Sequence, residues 1–377
     1  MIQDLFIVGA TGNVGGELIK QIEEKGNAFS SNLTPQRIVG IASSQNFLFI
    51  PQGLSTQQIQ SFIDGDSQKA PRYTDLEELV DEANRRYREN GSRLVVVDVT
   101  SHKDPMNNPL THLHLHLIGK THYGVATANK DPVALSHIAV FQQLTLDPTR
   151  YEYSCSVMAG AEAVSRLRDS RFTMDILQSM EGCFSGTLGY IASELEKGKK
   201  FSEALNEAMQ LGYTESDPRA DLSGLDVARK VIVLGRTAGY KVGIEDVKLE
   251  PFIPKEYIME GESIEDFLKR VHELDEYFER KMKYAQEHGM TLRYVARMDI
   301  ENGKPKVEVS LREVPLESQL GSLKGRLNQI IIVSKRYPQE NPYSIRAPGA
   351  GLEITAGNIR RDLLYLPGGM FHQSATR

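Results

Sequence analysis

The chain has 377 residues, of which 40% are hydrophobic and 25% charged, so it is long enough for two or three domains with an ample core. The formal net charge of -6 at pH 7 excludes a protein that binds nucleic acid through a basic surface, because no excess of cations exists to displace counterions. No apolar run approaches the about 18 residues that cross a membrane, and two cysteines, Cys155 and Cys183, are too few for a disulfide framework. We therefore expect a cytoplasmic globular protein with neither a nucleic-acid nor a membrane partner.

The chain begins with the pattern of a dinucleotide-binding strand, turn and helix. Leu5 to Val8 predict a buried parallel strand, and a helix follows to about Lys25. Glycines between them would let a pyrophosphate approach the helix N-terminus, although a glycine-rich turn without a ligand has the same pattern. Their spacing is G-x-x-G-x-x-G rather than the commoner G-x-G-x-x-G, which alters the turn around Ala10. The candidate cofactor-binding residues in this segment are Gly9, Thr11, Gly12, Asn13, Val14 and Gly15.

The second predicted strand, from Arg37 to Ala42, bears on the choice of nucleotide. Sites for NAD usually carry an acid near the end of this strand that binds the ribose 2′-hydroxyl. Here Ser43 and Ser44 follow the strand, and their small hydroxyls tolerate a 2′-phosphate that a carboxylate would repel. We therefore expect NADP(H) as the preferred cofactor, with NAD(H) as the alternative and Ser43 as a contact.

Two later strands add candidates at their ends, where open parallel sheets bind ligands. A buried strand from Leu94 ends at Thr100 and Ser101, and a strand that ends at Thr127 is soon followed by Lys130. A lone lysine in a loop is usually just solvated. At the carboxyl end of a parallel strand we favour a functional role for Lys130.

Residues 111–117, THLHLHL, allow two predictions. Strict alternation indicates a strand, whereas His112 and His116 have the spacing of a metal-binding pair on one face of a helix. Two histidines without a third ligand make a weak site, so we expect no metal here.

The densest group of ionisable residues lies in residues 211–230, LGYTESDPRADLSGLDVARK. Turn signals precede an apolar helix that ends near Gly239, with Ser223 as its predicted N-cap and Asp226 as a capping-box acid. Asp226 and Lys230 share one face of this helix. A lysine among its apolar side chains must be paired or lose its proton. A plain surface salt bridge is the alternative, but the whole group favours a functional site: Glu215, Asp217, Asp221, Asp226 and Lys230.

The remaining chain predicts a second region that is rich in antiparallel strands. Strands are expected from Met174 to Ser179, from Arg293 to Ile300, and over residues 306–314 and 326–334. Near the end, Gly349 opens a glycine-rich turn before a last helix, where free N–H groups can face an anion.

Residues 212–230 closely resemble the signature of homoserine dehydrogenase, and the similarity extends from Gly9 to about Leu366. The resemblance implies that Lys230 donates a proton, that Asp221 supports this lysine, and that Glu215 and Asp226 hold the amino group of the substrate. It implies that Gly212, Ser185 and Thr187 shape the substrate pocket.

The resemblance also assigns roles elsewhere in the chain. It implies that Thr100 and Ser101 touch the cofactor, that Lys130 lies beside the nicotinamide and the substrate, and that the Gly349 loop returns to the nucleotide. In the family a carboxylate and backbone carbonyls form a loop for a monovalent cation such as Na+. Here Ser154 stands at the carboxylate position, so only the carbonyls remain for the cation, and Met158 replaces a glycine.

The resemblance implies an α/β fold with a Rossmann-type dinucleotide-binding domain at 1–150, to which residues 340–366 return. A catalytic and dimerisation domain of the α+β class, with an open sheet, is expected at 151–339. The expected assembly is a homodimer or higher homo-oligomer, in a free-standing version of an enzyme that also occurs fused to aspartokinase.

The expected activity is the reversible reduction of L-aspartate 4-semialdehyde to L-homoserine, in threonine, methionine and isoleucine biosynthesis. One alternative is an aspartate-semialdehyde dehydrogenase, because GATGNVG also resembles the loop of that family. That chemistry needs a nucleophilic cysteine with a base, and neither Cys155 nor Cys183 lies in such a pattern. The other alternative is a dinucleotide-binding sensor without turnover.

Overall fold

The structure, a computed structural model, describes residues 2–25, 35–65, 70–72, 76–87, 94–101, 108–259 and 261–369. The chain forms two compact units, one comprising Met1–Gly160 with Gly351–Arg377 and the other Ala161–Ala350. The predicted domain boundaries, at residues 150 and 339, lie before the observed ones at residues 160 and 350. Residues 151–160 stay with the first unit because Tyr151–Glu152 extends its sheet, and Tyr343–Pro348 stays with the second because it pairs there.

Twelve strands are present in the described residues. In chain order they are β1 (Gln3–Val8), β2 (Gln36–Ala42), β3 (Phe47–Phe49), β4 (Leu94–Asp98), β5 (Gly124–Thr127), β6 (Tyr151–Glu152), β7 (Leu177–Cys183), β8 (Val247–Leu249), β9 (Met290–Glu301), β10 (Lys304–Pro315), β11 (Leu327–Ser334) and β12 (Tyr343–Pro348).

Fourteen α-helices accompany these strands in the same part of the chain. They are α1 (Asn13–Lys25), α2 (Thr56–Ile63), α3 (Leu76–Tyr87), α4 (Leu110–Lys120), α5 (Asp131–Ala134), α6 (Ile138–Leu144), α7 (Ala163–Phe172), α8 (Gly186–Glu196), α9 (Phe201–Gln210), α10 (Pro218–Leu222), α11 (Leu225–Thr237), α12 (Ile264–Arg270), α13 (Asp275–Glu287) and α14 (Leu352–Leu363).

The first unit contains a doubly wound sheet with strand order β3-β2-β1-β4-β5-β6. All neighbours are parallel except β2 and β3. Strands β1 and β4 are buried along their whole length, as their continuous apolar runs predict. The strand order reverses between β1 and β4, and sheets of this class bind ligands at the carboxyl ends beside that reversal.

The last helix, α14, packs against α1 and belongs to the first unit. Gln21 of α1 donates to the carbonyl of Glu353, and Gln3 of β1 donates to the carbonyl of Leu363. Apolar residues of both helices join the core that lies on this side of the sheet. The segment that returns to the first unit is therefore α14, which starts beyond the glycine-rich turn.

The second unit contains a mostly antiparallel sheet with order β12-β11-β7-β9-β10-β8, in which only β10 and β8 run parallel. Helices α8, α11 and α13 pack against β9. The sheet is open, with β12 and β8 at its edges. The predicted fold class, α/β with a Rossmann-type unit and a second α+β unit, is confirmed.

One of the two alternatives for residues 111–117 is wrong in the structure, and so is the start of one predicted strand. Residues 111–117 belong to helix α4, so the alternating strand does not form; the buried side of this helix, which includes Leu113, His114 and Leu117, supplies a helical pattern as well. Strand β7 starts at Leu177 rather than at Met174, because Met174 has a positive φ of 57° after the end of α7.

The start of α11 also differs from its prediction. The N-cap is Gly224, with φ 75°, and not Ser223, so Asp226 is not in a capping-box position. Ser223 instead donates to the carbonyl of Ala220 at 2.7 Å and closes the turn before the helix. The carboxylate of Asp226 is thereby left for Lys230 one turn later.

No helix among the described residues combines the length and the apolar character needed to cross a membrane.

Replacing Gly224 with alanine should destabilise the second unit strongly. A Cβ at this position would overlap the Tyr294 hydroxyl, in addition to the cost of a left-handed backbone conformation. Gly289 is a matched control, because it has φ 67° but open space around it. Chemical denaturation should show a loss of about 2–5 kcal/mol for Gly224→Ala and about 1–2 kcal/mol for Gly289→Ala. Equal losses would contradict the predicted overlap.

Candidate active site

A tight turn between β1 and α1 brings the helix N-terminus to the carboxyl end of the sheet. Gly9 has φ 89°, and a Cβ there would lie only 3.0 Å from Cγ2 of Thr100. A Cβ on Gly15 would overlap the carbonyl oxygen of Gly9. The first-turn N–H groups of α1 therefore lie close to strand β1, where they can bind an anion. The other predicted residues of this turn are exposed or half-buried: Thr11, Gly12, Asn13 and Val14.

The carboxylate of Asp98 fixes the loop that follows β4. Thr100 donates to Oδ1 of Asp98 through its backbone N–H at 2.9 Å and through its hydroxyl at 2.7 Å. Thr127, at the end of β5, donates to the Asp98 carbonyl at 3.2 Å. The ends of two neighbouring strands are thus tied together, with Ser101 exposed beyond them and half-buried Lys130 at the start of α5.

A buried group behind this loop was missed by the sequence analysis. Nε2 of His114 lies 3.2 Å from Oδ2 of Asp98, out of line for a good hydrogen bond, and Nδ1 lies 2.8 Å from the Tyr151 hydroxyl. Burial, followed by the negative charge of Asp98, raises the pKa of Tyr151 well above its usual value. The only signal for this group in the sequence is His114 itself, which stands between two leucines in the run that contains His112 and His116.

Two predicted cofactor residues have structural roles of their own. The Ser43 hydroxyl accepts from the backbone N–H of Asn46 at 3.1 Å and closes the turn between β2 and β3. Gly349 follows β12 in the second unit, where a Cβ would overlap the amide of Asn328. The positions of both residues depend on these local contacts.

Lys230 is held from two sides in the second unit. Its Nζ donates to the carbonyl of Phe184 at 2.7 Å and lies 2.7 Å from Oδ2 of Asp226. The lysine side chain is only 12% exposed, whereas that of Asp226 is 41% exposed. The pair has the i,i+4 spacing of a surface salt bridge, but burial of the amine and its bond to a carbonyl distinguish it from one.

Asp221 lies in the same group and is held by neighbours from the signature. Its Oδ2 accepts from the backbone N–H of Glu215 at 2.8 Å, and the Thr187 side chain lies beside its carboxylate. Burial, with smaller contributions from the charges of Glu215 and Asp226, raises the pKa of Asp221 to about 6. The structure thus brings Asp221, Glu215 and Thr187 together and places an acid that titrates near neutrality among them.

The remaining predicted residues of this region shape the backbone. Ser185 is the N-cap of α8 and accepts from the N–H of Leu188 at 3.1 Å. Gly212 has φ 66° in the turn after α9. Asp217 caps α10 and forms a bidentate pair with Arg219, so it holds the short helix that carries Asp221.

The loop that resembles a cation site follows β6. The Ser154 hydroxyl lies 3.5 Å from a buried carboxylate, that of Glu152, and the Ala159 carbonyl accepts from Asn358 at 2.7 Å. Met158 and Ala159 both have φ 51°. The carboxylate of Glu152 is therefore near the loop, two residues before the position that the resemblance indicates. The binding of a monovalent cation stays a prediction.

Within the described ranges, no group of three or more His, Cys, Asp or Glu side chains is arranged to hold a metal ion. His112 is exposed on α4. His116 lies 3.1 Å from Asp81 and 3.4 Å from Glu77, both on α3, so it contributes to packing between these helices.

Replacing Asp221 with asparagine should stabilise the protein at neutral pH but not in acid. Because the folded-state pKa of about 6 exceeds the ordinary value of 3.8, the folded protein loses stability as pH rises between these values. The variant escapes that loss, on the order of 1–3 kcal/mol. Urea denaturation of both proteins at pH 4 and pH 8 should show a gain for the variant only at pH 8. The same difference at both pH values would contradict the raised pKa.

Comparison with known proteins places this geometry in a family. The family model described as homoserine dehydrogenase matches residues 163–364, which include Lys230 and all the acids around it. The chain is 32% identical over 358 residues to the bifunctional aspartokinase/homoserine dehydrogenase 2, chloroplastic, of Zea mays, a match that covers 94% of this chain and 37% of the relative. The chain thus spans well under half the length of the curated relatives it matches.

Solved structures agree in fold. A protein of unknown function from Candida auris is 27% identical, with a TM-score of 0.80 over 96% of this chain and 97% of that one. A hyperthermophilic archaeal homoserine dehydrogenase in complex with NADPH is 20% identical, with a TM-score of 0.69 over 97% of each chain. Because the family model covers more than half of the sequence, the chain belongs to the homoserine dehydrogenase family.

Proposed function

We propose that this protein is a homoserine dehydrogenase, which reversibly reduces L-aspartate 4-semialdehyde to L-homoserine with NADP(H), in the biosynthesis of threonine, methionine and isoleucine. The observation that carries the proposal is the buried amine of Lys230, held between the Phe184 carbonyl and Asp226. Family membership supports it, as does the NADPH complex of the archaeal homoserine dehydrogenase.

The first unit fits a nicotinamide dinucleotide, which when bound supplies the hydride. Glycines at positions 9 and 15 let the turn before α1 pack closely, because a Cβ at either position would meet Thr100 or the Gly9 carbonyl. The N–H groups of Thr11 and of the first turn of α1 would hold the pyrophosphate, whereas that of Gly12 donates to the Gly9 carbonyl at 3.0 Å and shapes the turn. Thr100 and Ser101, at the carboxyl end of β4, would hold the part of the dinucleotide beyond the pyrophosphate. Lys130, at the same edge after β5, would bring a positive charge to the nicotinamide end.

The preference for NADP(H) over NAD(H) rests on the end of β2. Ala42 is followed by two serines rather than by an acid, so no carboxylate there repels a 2′-phosphate. Arg37 is taken up by a bidentate pair with Asp4, at 2.7 and 3.0 Å, and is not the phosphate ligand. The Ser43 hydroxyl, at the turn itself, is the proposed contact.

Lys230 would stabilise and protonate the substrate oxygen. An ammonium group has three N–H donors, and the carbonyl of Phe184 and the carboxylate of Asp226 account for two. The third can reach an oxygen on which negative charge develops during reduction, and can transfer its proton there. In the oxidation of homoserine the same amine would receive the proton.

The acids around Lys230 would hold the substrate ammonium. Glu215 is exposed and Asp226 partly so, which leaves their carboxylates accessible to a ligand. Asp221 is more buried and holds the backbone of Glu215 in place. We therefore assign ammonium binding to Glu215 and Asp226 and a supporting role to Asp221.

We also propose that the protein is a cytoplasmic homodimer whose contact uses the open sheet of the second unit. Both cysteines are free and buried, as suits a reducing compartment. Light scattering during size-exclusion chromatography would measure the mass of the assembly.

The direct test mixes the protein with L-homoserine and NADP+ and follows the absorbance of reduced cofactor. The proposal expects turnover, and faster turnover with NADP+ than with NAD+. Binding of the dinucleotide without any turnover of homoserine would favour the sensor hypothesis instead.

Replacing Lys230 with alanine should lower kcat by about 10²–10⁴-fold, because the group that exchanges a proton with the substrate oxygen is lost. The KM for NADP+ should stay unchanged. Lys269→Ala is the matched control, since it also removes a lysine from an i,i+4 pair, but one that is 63% exposed on α12. Steady-state kinetics of the wild type and the two variants would measure these effects. A kcat of Lys230→Ala near that of the wild type would remove Lys230 from the mechanism.

The double change Cys155→Ser/Cys183→Ser should leave turnover of homoserine within about threefold of the wild type. Burial raises the pKa of Cys155 well above its usual value and that of Cys183 to about 12, so both thiols stay protonated at neutral pH. Loss of all activity in a variant that retains its fold by circular dichroism would support a thioester mechanism, as in the aspartate-semialdehyde dehydrogenase alternative.

A further inference from the structure

Arg326 presents a cation beside the start of α8. Its guanidinium carbon lies 4.1 Å from the centre of the Tyr213 ring. A Cβ added to Gly186, the first residue of α8, would lie 3.5 Å from Nε of Arg326. The arginine is therefore adjacent to both Ser185–Thr187 and the Tyr213 segment, which are the two sides of the proposed substrate pocket.

The acids of this pocket account for only one end of the substrate. Homoserine and aspartate semialdehyde carry an ammonium and a carboxylate on the same carbon atom, so a pocket lined by Glu215, Asp221 and Asp226 alone would repel the second group. Lys230 is paired with Asp226 and is assigned to the reacting oxygen. Another cation near the acids would be needed to hold the carboxylate.

Contacts from the Arg326 side lead directly to these acids. The Thr187 hydroxyl donates to the carbonyl of Tyr213 at 2.5 Å and lies beside the carboxylate of Asp221. The guanidinium of Arg326 lies over the ring of Tyr213. The α-carbon of an amino acid that binds its ammonium to the acids would thus direct its carboxylate towards Thr187 and Arg326.

The backbone that carries Arg326 is firmly anchored. The N–H of Gly325 donates to the Ser193 hydroxyl of α8 at 2.9 Å. Arg293, buried in β9, donates to the carbonyls of Gly321 and Leu323, each at 2.7 Å. Lys324 forms an ion pair with Glu196, also on α8. Stacking on an aromatic ring then fixes the guanidinium plane at little further entropic cost.

Apart from the Tyr213 ring, the charge of Arg326 has no ion-pair partner in the part of the chain that the structure describes. No carboxylate of those residues lies within ion-pair distance of it, and the side chain is exposed. A planar guanidinium with its donors open to solvent matches the two oxygens of a carboxylate.

We propose that Arg326 binds the α-carboxylate of the substrate and so makes the enzyme specific for an α-amino acid over a simple amino alcohol. The inference rests on the proposed function, because it takes homoserine as the ligand. It adds a residue that lies outside the signature, in the loop before β11.

The test compares the wild type with Arg326→Gln, Arg326→Lys and the control Arg280→Gln in the oxidation of homoserine by NADP+. Arg280 is an exposed arginine on α13, so its change removes the same charge away from the pocket. We expect Arg326→Gln to raise the KM for homoserine about 10–100-fold, with kcat and the KM for NADP+ within about twofold. Arg326→Lys should fall between the two because lysine keeps the charge but not the planar fork. The control should match the wild type.

A second measurement uses 3-aminopropan-1-ol, which is homoserine without its carboxylate, as an inhibitor. Its inhibition constant should be the same for the wild type and Arg326→Gln, so the variant should lose the preference for homoserine. An unchanged KM for homoserine in Arg326→Gln, with active wild type, would overturn the inference and leave the proposed function intact. No turnover by the wild type would instead count against the proposed function.

Discussion

The ammonium group of Lys230 is fixed between the backbone of Phe184 and the side chain of Asp226, and the rest of the catalytic proposal depends on this contact. A lysine so little exposed keeps its charge only when hydrogen bonds and an opposite charge replace its hydration. Both partners are supplied by local structure, one by the end of β7 and one by the preceding turn of α11.

The second unit assembles its acids by backbone geometry as much as by charge. Asp217 caps α10, and this short helix presents Asp221 to the N–H of Glu215. Gly224 then permits the sharp left-handed turn into α11. Three acids within one signature repel one another, and part of that repulsion is relieved because Asp221 holds its proton more tightly than a solvated acid does. A bound ammonium would relieve the rest.

The first unit uses a buried acid in a different way. Asp98 holds the loop after β4 through two donors of Thr100, and its other oxygen faces His114, which in turn contacts Tyr151. A carboxylate buried at the end of a strand is stable only when donors surround it. The same Thr100 donors fix the loop that faces Gly9. Asp98 therefore also sets the shape of this edge of the proposed nucleotide site.

Much of this arrangement follows from the sequence. The apolar runs of β1 and β4 determined the parallel sheet, and the long signature around Lys230 determined the family, because both signals are local and continuous along the chain. The N-cap of α11 was mispredicted because Ser223 and Gly224 are both residue types that cap helices. The close approach of Tyr294, which only a glycine at position 224 permits, comes from tertiary packing and is not visible in the sequence. Only the folded structure could place His114 against Asp98 and Arg326 on the ring of Tyr213. Each of these two pairs joins different elements of the structure, and packing rather than sequence spacing sets the distance between their side chains.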